Sequence, residues 1–376
     1  MHILIAPNAF KNSLTADEAA DAIRDGLQQS RLAFSYECFP VGDGGNGTAA
    51  LIIKKMSGSW VTTNVHDPLG REISAGFGLI EEGKTAVIEM ADAAGLQFLK
   101  QSELNPLNAS SFGCGELMLA ALDKGVRNII LGMGGSATVD GGTGILRALG
   151  IRFLNAAGES LPDHPEHLTD LSRIDLTRMD KRILDRELTI LCDVKNPLLG
   201  DQGAAAVFGP QKGATKEGVI QLEAALAKFK DITLQQTGRD MASVQSGGTA
   251  GGAAAGLNAF LNARLVNGIG YFLQITGFDR ALAKADLLIT GEGSIDEQTL
   301  EGKAPFGVAS RAKRKNLPVI GLAGKVPHEK NKALDQYFDV LLAIGNEPAE
   351  LQVAMGNTKE NLIRMAKAIG DLLAIA

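Results

Sequence analysis

Short apolar runs alternate along this chain with segments in which alanine and leucine recur every three or four positions, a pattern that predicts strands alternating with helices. His2 to Ala6 reads as a first strand, ended by Pro7 and Asn8. Thr15, with Glu18 three residues on, forms a capping box, and Ala19, Ala20, Ile23 and Leu27 fall at helical spacing, so a helix is expected over 16–29. A strand at 36–40 and a helix at 48–56 should follow. From Trp60 the texture turns to shorter β-like pieces, VTTNVHD, EISAGFGLI and TAVIEMA, with a turn at Asp67-Pro68-Leu69-Gly70. Further helices are expected at 110–124 and 216–229 and after SGGTAGG, with strands at 128–133 and 188–193. Leu287-Leu288-Ile289 suits a strand buried on both faces that stops at Thr290. A helix at 305–316, strands at 318–323 and 339–344, and a closing helix at 359–374 complete the pattern.

The two ends of the chain share this clean alternation and the middle does not. The expected fold class is therefore α/β, with residues 1–62 and 280–376 forming one doubly wound domain into which a second α/β domain, 63–279, is inserted. A length of 376 residues suits two domains, and 45% hydrophobic with 21% charged residues is ordinary for a soluble globular protein.

Charge narrows the possible partners. A net charge of -6 with a sequence pI near 5.5, and only 18 aromatic residues, argue against a nucleic-acid surface. No run approaches the roughly 18 apolar residues of a membrane helix, and MHILIAPNAF has no basic leader, so a cytoplasmic protein away from membranes is expected. Cys38, Cys114 and Cys192 are far apart and read as core residues of a reducing compartment.

Glycine is enriched, at 45 residues, and gathers at 42–47, 132–144, 247–252 and 291–302, each time beside an apolar run. Such clusters read as loops shaped around a ligand. In GMGGSATVDGGTG, successive amides can form an anion nest to which Ser136 and Thr138 add hydroxyls; the plainer alternative is a tight turn with close helix packing. Its spacing is neither a dinucleotide fingerprint nor a Walker A loop. Asp43, Asp193, Glu292 and Asp296 stand at strand ends beside glycine, suited to magnesium or to accepting a hydroxyl proton, or else to capping a turn. Lys11, Lys195, Lys212 and Lys303 lie in loop settings where each could neutralise a phosphate or carboxylate, and Lys11 and Ser13 sit near a helix start that favours anions. Ser294, Gln298 and Thr299 add polar groups beyond the strand that begins at Leu287. His164 and His167, in PDHPEH, have no cysteine nearby and are not read as a zinc site.

Taken together, IAPNAFKNSLTADEAA, VGDGGNGT, TAVIEMADAAGL, GMGGSATVDGGTG, CDVKNPLLG, VFGPQKGAT, GGTAGG and GEGSIDEQTLEGKAP resemble, in order and over nearly the whole chain, the bacterial glycerate kinases related to the glyoxylate and glucarate pathway enzymes. The resemblance implies a Rossmann-like domain and an inserted domain with the active site in the cleft between them. It also implies ATP-dependent phosphorylation of D-glycerate, with magnesium, to 2-phosphoglycerate. Asn8, Asn12 and Asn46 stand where many relatives carry aspartate, glycine and glutamate. On this reading Asp193 or Asp296 accepts the hydroxyl proton and serves as a metal ligand, while Lys303 and Lys11 stabilise phosphate or carboxylate. Gly134, Gly135, Ser136, Ala137, Thr138, Gly141, Gly142, Glu292 and Ser294 are expected around ATP, and Ser13, Asp43, Lys195, Asn196, Gln298 and Thr299 around glycerate. The rival readings are a nicotinamide-dependent dehydrogenase of a small hydroxy acid and a non-catalytic two-lobed acid-binding protein.

Overall fold

Ile3, Leu4 and Ile5, and their partners Leu287, Leu288 and Ile289, offer no polar face, and all six side chains are buried in the middle of a sheet. The computed structural model describes residues 1–329 and 331–375. In chain order the strands are β1 (His2–Ile5), β2 (Ser35–Cys38), β3 (Ser59–His66), β4 (Glu72–Ile80), β5 (Thr85–Glu89) and β6 (Asn128–Gly132). Then come β7 (Arg152–Leu154), β8 (Arg173–Asp175), β9 (Glu187–Cys192), β10 (Arg264–Asn267), β11 (Leu287–Ser294), β12 (Val319–Lys325) and β13 (Val340–Ala343).

The chain divides into two compact units, Met1–Asp43 with Ile269–Ala376, and Gly44–Gly268. The first is a wholly parallel sheet in the order β13-β12-β11-β1-β2. From β1 the chain steps outward one way to β2, and from β11 it steps the other way to β12 and β13. The strand order therefore reverses between β1 and β11, the place where open parallel sheets bind ligands beyond their carboxyl ends. Helix Ala16–Gln28 starts on the expected capping box, with Thr15 Oγ1 accepting from Glu18 N at 3.2 Å and Glu18 Oε2 accepting from Thr15 N at 2.8 Å.

The second unit holds a sheet in the order β10-β9-β6-β5-β4-β3, parallel from β10 to β5 and antiparallel from β5 to β3. A separate two-stranded antiparallel sheet, β7-β8, was not foreseen from the sequence. Among the described residues no helix is long and apolar enough to cross a membrane.

Three local differences from the sequence reading have physical causes. The expected domain boundaries at 62/63 and 279/280 differ from the observed divisions after Asp43 and Gly268. Helix Thr48–Lys55 goes with the second unit because Ile53 fills the space over Gly78, where a Cβ would meet its Cδ1 at 2.1 Å. Phe278 goes with the first, its ring edge-on to Phe39 at 5.2 Å. Strand β11 does not stop at Thr290 but runs to Ser294, with Gly291 pairing to Leu322 of β12. Gly291 is thus no turn: a Cβ there would lie 2.3 Å from Leu322 O, so its smallness permits close strand packing. The helix expected to end near 229 continues to Thr237, through Ile232 and Thr233, until Gly238 closes it at φ 71°. β-branched residues hid that last stretch because burial of Ile232 and Thr233, not propensity, holds it.

Candidate functional site

In the first unit, the carboxyl ends of β1 and β11 carry a run of polar side chains. Thr290 Oγ1 donates to Ala6 O at 2.8 Å and Asn8 N donates to Gly291 O at 2.8 Å, tying the two strand ends together across the reversal point. Beyond them Phe10–Leu14 folds into a tight loop in which Asn12 adopts φ 61°. Asparagine tolerates that left-handed conformation better than most residues. The loop leaves Lys11 exposed, while Ser13 Oγ donates to Met355 O at 2.6 Å.

Glu292, Thr299, Asp296 and Ser294 form one connected series. Thr299 Oγ1 donates to Glu292 Oε1 at 3.1 Å and accepts from Asp296 N at 3.1 Å. Asp296 Oδ2 accepts from Ser294 Oγ at 3.2 Å, and its Oδ1 accepts from Gln298 N at 3.0 Å, so Asp296 also caps the short 3-10 turn Glu297–Glu301. Asp296 and Lys303 are half-buried and Gln298 is exposed. Asp43 accepts from Asn8 Nδ2 at 3.1 Å. Glu292 is only 7% exposed, and burial pushes its carboxyl up to about 7; Lys303 pulls it back, while Asp43 and Asp296 add to the rise.

In the second unit, the loop after β6 has two halves. Gly134 N donates to Gly44 O at 3.0 Å and Ala137 N to Ala94 O at 2.8 Å. Gly135 sits at φ 72°, a left-handed conformation that favours glycine, and a Cβ there would meet the Asn46 side-chain amide, its Oδ1 at 2.1 Å. The second half is organised around a carboxylate of its own. Asp140, 1% exposed, accepts from Gly142 N at 2.9 Å, Gly144 N at 3.2 Å, Ser111 N at 3.0 Å and Ser111 Oγ at 2.6 Å. Gly141 N donates to Gly251 O at 3.0 Å. The amides of Gly134, Ala137, Gly141 and Gly142, expected to cradle an external anion, thus already have internal acceptors.

Lys212 reaches this loop from Pro210–Lys212 and is 4% exposed. Its Nζ donates to Ser136 Oγ at 2.8 Å and to Thr138 O at 2.7 Å. Burial pushes the ammonium down to about 7, with Asp140 opposing. Asp193, half-buried, follows β9, and Lys195 beyond it is exposed. Asn196 Nδ2 donates to Gln202 O at 2.8 Å, while the Asn196 backbone carbonyl accepts from Gly248 N at 3.0 Å.

Several residues of this unit escaped the sequence reading. Glu89, at the end of β5, is 7% exposed and accepts from Gly47 N at 3.0 Å and Ala49 N at 2.7 Å, neutralising the start of helix Thr48–Lys55. Burial raises its carboxyl, and Asp92 nearby is pushed to about 7 by its own burial and by Glu89. A signal was present: Glu89 closes an apolar run as the other four acids do, and Asp140 followed by two glycines and a threonine is a capping pattern. His164, Glu166 and His167 bring ligand atoms within 4.8 Å of one another, on a mostly exposed segment.

Comparison with known proteins identifies the family. The model of the Glycerate kinase family matches residues 3–374. A glycerate kinase of Halalkalibacterium halodurans is 42% identical over 98% of this chain and 97% of its own length. A glycerate 2-kinase of Escherichia coli is 39% identical over 100% of this chain and 98% of its own. A crystal structure named for glycerate kinase 2 of Salmonella typhimurium LT2 superposes with a TM-score of 0.83 at 40% identity, covering 100% of this chain and 98% of that one. With a family match over almost its full length and relatives near 40% identity end to end, the chain belongs to the glycerate kinase family.

Proposed function

We propose that this protein phosphorylates D-glycerate at the expense of ATP, giving 2-phosphoglycerate and ADP. The observation that carries the reading is the series Glu292-Thr299-Asp296-Ser294, set with Lys303 and Lys11 beyond the strand ends that flank the β1/β11 reversal. Phosphoryl transfer asks little covalent chemistry of a protein and much positioning and charge neutralisation, which carboxylates, lysines and a glycine-rich loop supply.

In this reaction the C2 hydroxyl oxygen bonds to the γ-phosphorus. The bond from that phosphorus to the bridging oxygen breaks, and ADP leaves with the electron pair. The hydroxyl proton passes to a carboxylate, for which Asp296 and Asp193 are the proposed acceptors. Lys303 and Lys11 offset the charge on phosphate or substrate carboxylate. Ser136 is the proposed contact to an ATP phosphate, with Ser13, Asp43, Lys195, Asn196, Gln298 and Thr299 toward glycerate.

Magnesium, when bound, would neutralise phosphate charge. Carboxylates offer the hard oxygen donors it takes. Magnesium at such sites is commonly held by one or two carboxylates and completed by phosphate and water. Asp296 and Asp193 are the proposed ligands. Phosphorus NMR of a mixture of protein, ATP, magnesium and D-glycerate tests the reading. Growth of a 2-phosphoglycerate resonance with ADP supports it; ATP that stays intact, or is split to inorganic phosphate alone, overturns it.

A further inference from the structure

Lys212 is a buried lysine for which the proposed reaction has no direct use. Its place is enforced: Gly213, at φ 96°, follows it in a turn where a Cβ would lie 2.3 Å from Leu104 O, and the side chain is then threaded to the back of the Gly132–Gly144 loop. There it meets Ser136 Oγ and Thr138 O at 2.8 and 2.7 Å. In its protonated form Lys212 only donates hydrogen bonds, so at this contact Ser136 Oγ then accepts. A serine oxygen that accepts from lysine on one side keeps its own proton for the other.

We propose that Lys212 is a positioning residue that orients the Ser136 hydroxyl, turning its proton away from the protein toward a phosphate oxygen of the nucleotide. This inference rests on the proposed reading that Ser136 contacts an ATP phosphate. Two further observations bear on it. Thr138 Oγ1, wholly buried, has no hydrogen-bond partner among the described residues, so this stretch is not a finished internal network, unlike the Asp140 half. The lysine also places a positive charge behind the serine in a low-dielectric interior, where it strengthens the serine as a donor to an anion. Its lowered affinity for a proton fits a cation that lacks a full counter-charge until an anion arrives.

The test measures binding of ADP and of inorganic phosphate by calorimetry, alongside steady-state kinetics and melting temperature, for wild type, Ser136→Ala, Lys212→Met and the double variant. Ser136→Ala removes only a hydroxyl and should fold normally. It should weaken ADP and raise KM for ATP by roughly tenfold, the loss of one hydrogen bond to a charged group, with a smaller effect on KM for glycerate. Lys212→Met should do at least as much, and the double variant should be no worse than Lys212→Met. Effects of the two substitutions that multiply, or a Lys212→Met protein that melts lower but binds ADP as wild type does, would overturn the proposal, as would wild type failing to bind both probes. Wild type that binds ADP with the expected dependence on Ser136 and Lys212, yet transfers no phosphate to glycerate, leaves this inference standing and removes the proposed reaction instead.

Discussion

The loops after β11 and after β6 look alike in the sequence, each an apolar strand running into glycine, hydroxyl and carboxylate, but they are built to opposite plans. In GEGSIDEQTLEGK the glycine at 291 serves strand packing, and the acids lie at different depths, Glu292 buried and Asp296 half-exposed. In GMGGSATVDGGTG the carboxylate of Asp140 is wholly internal and consumes the amides of Gly142 and Gly144, while the unusual charge is a buried lysine brought from elsewhere. The first loop follows a strand at the reversal point of its sheet; the second belongs to a sheet whose parallel strands, β5, β6, β9 and β10, are laid down in one direction. A glycine-rich strand end is therefore not one kind of site: where its amides point decides whether it can receive an anion or already contains one.

Substitution should separate the two plans, and the largest expected effect is on turnover. Asp296→Asn or Asp193→Asn should lower kcat at least roughly a hundredfold if either is the proton acceptor; steady-state kinetics in which both keep near wild-type turnover would remove both assignments. Asp140→Ala should instead act on folding. It strands the Ser111, Gly142 and Gly144 amides in the interior and should cost about 3 kcal/mol or more in chemical denaturation, whereas Asp296→Ala, losing a half-exposed cap, should cost about 1 kcal/mol. Equal losses of stability would break the contrast.

Opposite pH slopes should sharpen it. Glu292 holds its proton to about 7 in the folded chain but only to its ordinary 4.5 when unfolded. Its contribution to stability is complete below 4.5 and is lost as pH rises through 7. Lys212 keeps its proton to its ordinary 10.5 when unfolded but only to about 7 when folded, so stability should rise with pH between 7 and 10.5. Thermal melts across these windows should therefore show a smaller fall from pH 4.5 to 7 in Glu292→Gln, and a smaller rise above pH 7 in Lys212→Met, than in wild type. The smallest effect is expected at Asn12: glycine should be tolerated within about 0.5 kcal/mol because φ is positive, and alanine should cost about 1 kcal/mol.

Much of the architecture was legible from local pattern, because strand and helix periods and caps act over a few residues. Thr15 with Glu18 announced the first helix, and the apolar runs at 3–5 and 287–289 announced two central strands. The blocks that carry the family resemblance were equally local. What misled was context: Gly291 reads as a turn until Leu322 is seen against it, and Ile232 with Thr233 reads as a helix end until their burial is seen.

The sequence alone thus determined the fold class, the family and the strand ends at which chemistry-bearing residues gather, since each is written in short-range spacing. Only the tertiary structure decided which groups meet across long separations: Asp140 with Ser111, Glu89 with Gly47, and Lys212 with Ser136, 76 residues away in the chain. Burial and hydrogen-bond partnership are properties of the packed chain. They turn one of four loop lysines into a buried cation bonded to Ser136, and a run of glycine amides into the cage of an internal carboxylate.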